Sequence, residues 1–72
     1  MAGIDGRVLV RFTVDTTGAV DMNSVMILSS THDLFTRSVR DVLPSFRFKP
    51  AELHGKRVPS LAEMPFEFSI SK

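Results

Sequence analysis

Over residues 7–14 the chain alternates without a break: Val8, Val10, Phe12 and Val14 fall on one side, and Arg7, Leu9, Arg11 and Thr13 on the other. Successive side chains of a strand point to opposite faces, so this period of two specifies a strand with one buried face. Asp15-Thr16-Thr17-Gly18 follows. Asp and Thr side chains hydrogen-bond a turning backbone and glycine accepts a positive φ, so the segment reads as a hairpin loop. The returning strand is expected over residues 19–29, through the apolar stretch 25–28, with a bulge near Asn23-Ser24.

Ser30-Thr31-His32-Asp33 then reads as a helix start, with a hydroxyl at the cap and an acid facing the positive helix end. Phe35, Val39, Val42 and Phe46 recur at three- and four-residue steps, flanked by Leu34 and Leu43, with Arg37, Arg40 and Asp41 opposite. This is an amphipathic helix of about three turns that Pro44 ends or kinks. Phe46-Arg47-Phe48-Lys49-Pro50-Ala51 leads into extended chain, its two Phe plugging one end of the core, and His54-Gly55-Lys56 is a turn. Alternation returns at the end, with Phe66, Phe68 and Ile70 inward and Glu67, Ser69 and Ser71 outward. Pro59 and Pro65 lack the N–H that a ladder needs, which puts this strand at an edge. The expected class is α+β: a β-β-α-β order forming a three-stranded antiparallel sheet, strand order 2-1-3, with one helix on one face.

At 72 residues the chain is one domain, 1–72, with a thin stability margin. Met1-Ala2-Gly3 is compatible with a cloned start, which would make this a piece of a longer protein. The absence of cysteine removes disulfides, thiolate metal sites and Cys nucleophiles together. A formal net charge of +1 gives no field that favours nucleic acid or an anionic membrane. The basic residues are interleaved with Asp and Glu, and the Phe sit at core phases, so nucleic acid is not expected as a partner. No apolar run approaches the roughly 20 residues of a membrane span, and nothing resembles a secretory signal.

Ser30, His32 and Asp33 hold the letters of a hydrolase triad, but neighbours on one turn cannot form the nucleophile–base–orienter chain. His32 and His54 have no carboxylates at ligand spacing around them. No catalytic residue, metal site or cofactor is expected.

In series, these segments resemble the C-terminal domain of TonB-family energy transducers (TonB/TolA C-terminal-like). The matching pieces are Gly3-Ile4-Asp5-Gly6 leading into Val8, Val10, Phe12 and Val14-Asp15, then Gly18 and Val20, Ser29-Ser30, Phe46-Arg47-Phe48-Lys49-Pro50-Ala51, Gly55-Lys56-Arg57-Val58, and Pro65-Phe66 with Phe68. They run in order over nearly the whole chain. Three features depart from the pattern. A Tyr-Pro-like motif and small helix that usually precede the Gly-Ile match are not in this chain, Thr36-Arg37-Ser38 stands where the family helix is Ala-rich, and Leu43-Pro44-Ser45 stands where it continues.

The resemblance implies a non-catalytic periplasmic domain of a protein anchored in the inner membrane. Such a domain grips the TonB box of an outer-membrane receptor and passes on force from an inner-membrane motor complex reached through its N-terminal part. It implies binding along the last-strand edge, at Glu67, Phe68, Ser69, Ile70 and Ser71, because unpaired N–H and C=O groups accept an extended peptide. The same edge invites a homodimer through the last strand. The alternatives are a TonB-like domain of a membrane sensor, peptidase or other envelope protein with a different partner, or a self-pairing module.

Overall fold

The computed structural model describes residues 4–70, and side chains for residues 5–69. The alternating segment forms strand β1, Ile4–Val14, and Val8, Val10, Phe12 and Val14 are all buried. In the loop, the Asp15 carboxylate accepts from the Thr17 N–H at 2.8 Å, the Thr17 hydroxyl at 2.6 Å and the Ala19 N–H at 3.1 Å. Gly18 takes φ 89°, which a side chain rarely tolerates. Strand β2, Val20–Ser30, then returns antiparallel to β1.

Helix α1, Asp33–Val42, continues into a 3-10 turn, Leu43–Ser45, so Pro44 ends the α-helix as expected. Its cap differs from the expected hydroxyl. His32 Nδ1 accepts from the Leu34 N–H at 3.1 Å, while the Ser30 hydroxyl donates to the His32 carbonyl. The buried stripe also differs: Phe35, Val39 and Leu43 are enclosed, whereas Val42 is largely exposed. A ten-residue helix presents one face to the sheet, and steps of four keep residues 35, 39 and 43 on it. Phe46 lies beyond the helix in extended backbone and reaches the core from the connecting segment, half-buried.

That segment is fixed to the hairpin loop. Arg47 bridges Ala19, and the Phe48 N–H donates to the Gly18 carbonyl at 2.7 Å. A Cβ at Gly18 would stand 2.1 Å from the Phe48 carbonyl oxygen, so only glycine permits this closure. Phe48 packs on Phe12 at 5.6 Å between ring centroids and Phe46 on Phe66 at 5.8 Å, which closes this end of the core as expected.

A second sheet was not expected. Strands β3, Ala51–Leu53, and β4, Lys56–Val58, pair around His54 and Gly55, whose φ angles of 53° and 78° are those of a type I′ turn. Three-residue strands are too short to show alternation. This hairpin is mostly exposed. Strand β5, Ser60–Ile70, completes the main sheet in order β2-β1-β5, the expected 2-1-3. The core lies between one face of that sheet and α1. Each of its enclosed side chains contributes about 1.5–3 kcal/mol of apolar burial.

Candidate functional site at a strand edge

Among the described residues there is no enclosed cavity and no group of three or more His, Asp or Glu able to hold a metal. Ser30, His32 and Asp33 are occupied with starting α1, and His54 sits at the tip of the small hairpin. What the chain does present is an open strand edge.

Strand β5 pairs with β1 from Ile4↔Ile70 to Val14↔Ser60 without a shift of register. Which of its backbone groups are used follows from β1. The Arg7 carbonyl accepts from the Thr31 N–H at 3.1 Å, and the Arg7 N–H donates to the Thr31 hydroxyl at 3.1 Å, both on the β2 side. The Thr13 N–H likewise donates to the Ser24 hydroxyl at 2.8 Å. A residue in an antiparallel strand sends its N–H and C=O to one side, and the side alternates. Odd-numbered residues of β1 therefore face β2, and even-numbered ones face β5. Their partners on β5 are residues 60, 62, 64, 66, 68 and 70, so the N–H and C=O groups of residues 61, 63, 65, 67 and 69 point away from the sheet.

Pro65 fits this parity. It stands opposite Leu9, whose backbone faces β2, so its missing N–H costs the ladder nothing. The structure divides the edge residues expected from sequence accordingly. Glu67 and Ser69 offer outward backbone groups, Phe68 and Ile70 spend theirs on β1, and Ser71 lies outside the described residues. Sequence reasoning overlooked Leu61 and Glu63, which share the outward parity. The available signal was the spacing of Pro59 and Pro65, which brackets both residues.

The side chains of β5 hold it in place. Ala62, Met64, Phe66 and Phe68 pack against the core, while Leu61, Glu63, Pro65, Glu67 and Ser69 are exposed. Phe68 stacks on Phe35 of α1 with centroids 4.6 Å apart and planes at 16°. The Phe35 ring lies over Gly6, where a Cβ would meet it at 2.0 Å, so the bare backbone of Gly6 lets helix and edge strand meet. On the opposite face, Arg11 donates to Glu63 through Nη2 at 2.6 Å and Nε at 3.0 Å. Both side chains are well exposed, so this pair contributes under about 1 kcal/mol.

Two comparisons bear on this geometry. The family model described as "Gram-negative bacterial TonB protein C-terminal" matches residues 1–70. "Protein TonB" of Pseudomonas aeruginosa is 38% identical over 71 residues, covering 97% of this chain and 20% of that protein. The chain thus spans about a fifth of the length of the curated relative it matches.

Proposed function

The chain belongs to the TonB C-terminal family, and on that premise we propose that it is a non-catalytic domain whose β5 edge takes an extended peptide as an added strand. The peptide is the TonB box of an outer-membrane receptor. The domain, residues 1–72, works in the periplasm as part of a longer protein anchored in the inner membrane. Through that anchor, force drawn from the proton gradient by a membrane motor complex reaches the receptor and drives transport.

The observation that supports this best is the eleven-residue strand β5, held in unshifted register on β1 with the N–H and C=O groups of Glu67 and Ser69 turned outward. Four backbone hydrogen bonds at about 0.5–1.5 kcal/mol each, less the cost of ordering the peptide, make a weak and reversible grip. That suits a contact that must be released in each cycle.

The test is an NMR titration of the labelled domain with a TonB-box peptide. The amides of Glu67 and Ser69 are expected to shift first. Shifts confined to the β3–β4 hairpin or to β2 would reject the assignment. The same free edge supports a second reading, in which two copies of the chain pair through β5. Sedimentation over a range of concentrations distinguishes it, and a strict monomer rules it out.

A further inference from the structure

We propose that Pro65 is the specificity-determining residue of the β5 edge: it confines an added strand to one side of itself and prevents two copies of the chain from pairing along the whole edge. For the ligand, this inference rests on the edge reading above. Its self-pairing arm stands on geometry alone.

Residue 65 has the outward parity, so the Pro65 ring occupies the place where an N–H would meet an added strand. An N–H···O bond sets nitrogen and oxygen about 2.9 Å apart. The ring carbon Cδ is bonded to that nitrogen at a length of about 1.5 Å, as for any N–C single bond. A straight neighbour would therefore bring its carbonyl oxygen to within roughly 1.5 Å of Cδ, far inside contact distance. The neighbour must end or bulge there, whether it runs parallel or antiparallel, because both arrangements aim a carbonyl at each outward nitrogen. The pairing of β5 with β1 is untouched, since Leu9 makes no ladder bond to residue 65.

The edge is thus two short windows. One holds Glu67 and Ser69. The other holds Leu61 and Glu63, with Pro59 just before β5 supplying no donor at its far end. Leu61, at 68% exposure the most exposed large apolar side chain among the described residues, lies in the second window. An eleven-residue strand with such a neighbour is a template for edge-to-edge association, and an outward proline is a known way to interrupt one. A symmetric dimer centred on residue 65 would set two rings against each other.

The test compares the wild-type chain with Pro65→Ala and Pro65→Val, using a TonB-box peptide and sedimentation. In the wild type, the peptide should perturb outward amides on one side of residue 65 only. In both variants the perturbation should cross residue 65 into the other window. One restored backbone hydrogen bond should tighten peptide binding about five-fold. Self-association should strengthen by at least as much, and both variants should stay folded, melting within a few degrees of wild type. A wild-type footprint spanning both windows, or variants that keep a one-sided footprint and wild-type sedimentation, would overturn the inference and leave the edge reading standing. If the peptide moves no β5 amide in any form, the edge reading falls, and sedimentation alone decides whether Pro65 blocks self-pairing.

Discussion

The main sheet has two outer strands of equal length, and they manage their open sides in opposite ways. Strand β2 is shifted out of register with β1 in two places, one extra residue between Leu9 and Val10 and a longer excursion between Arg11 and Thr13. In that excursion the Ser24 hydroxyl folds back to accept from Thr13 and to donate to the Asp21 carbonyl at 2.6 Å. Just before β2 begins, Ala19 is bridged by Arg47. Bulges twist and interrupt an edge, so β2 gives no regular row of donors and acceptors to a partner. Strand β5 keeps strict register over all eleven residues and is interrupted only by Pro65. Two edges of one sheet are not equivalent binding surfaces, and it is backbone regularity that separates them.

The contrast can be broken most sharply with proline itself. Phe66→Pro removes a ladder N–H facing β1 and should cost about 3 kcal/mol or more, enough to unfold much of a domain this small. Glu67→Pro, one residue on, should cost under about 1 kcal/mol and abolish peptide binding. Because the Phe66 ring also packs on Phe46, urea denaturation should set Phe66→Pro against Phe66→Ala and Glu67→Pro against Glu67→Ala, and an equal extra cost of proline at the two positions would refute the parity.

Gly6→Ala should cost about 1–3 kcal/mol, because the new Cβ displaces Phe35 from its stack on Phe68. It should also weaken peptide binding at Glu67 and Ser69, which titration of the folded variant would detect. Ser24→Ala, on the other edge, leaves the part-buried Thr13 N–H without its acceptor and should cost about 1–2 kcal/mol, with no effect on peptide binding.

The smallest effect concerns pH. Hydrogen bonds from the Thr17 hydroxyl and N–H, and from the Ala19 N–H, hold the Asp15 carboxyl below its ordinary value of 3.8. A lowered folded-state pKa means that the stabilisation is fully present above the unfolded value and is lost as pH falls through the folded one. Melting curves taken between pH 6 and pH 2 should show this loss in the wild type and a shallower dependence in Asp15→Asn.

Much of this architecture is legible in the residues. The period-two run of residues 8–14, the Asp15–Gly18 loop chemistry and the bulge at Asn23-Ser24 follow from local pattern, because each rests on neighbours in sequence, and the sheet order follows from how a hairpin and a helical crossover can connect three strands. The hydroxyl cap and the helical phase of Val42 and Phe46 are where the structure departs from the pattern. His32 caps with a ring nitrogen, and the break at Pro44 decides which residues stay in helical phase. The β3–β4 hairpin left only its turn as a signal. The edge strand was visible in its prolines, but which of its residues face outward depends on parity relative to β1, a long-range fact fixed by contacts such as Arg7 with Thr31.

Amide hydrogen exchange along β5, with and without a TonB-box peptide, tests the open edge most directly. With the peptide absent, the amides of residues 62, 64, 66 and 68 should exchange slowly and those of Leu61, Glu63, Glu67 and Ser69 quickly. With it bound, Glu67 and Ser69 should become protected while β2 stays unchanged. Slow exchange at Glu67 and Ser69 in the free monomer, or new protection appearing on β2 instead, would contradict the assignment of β5 as the binding edge.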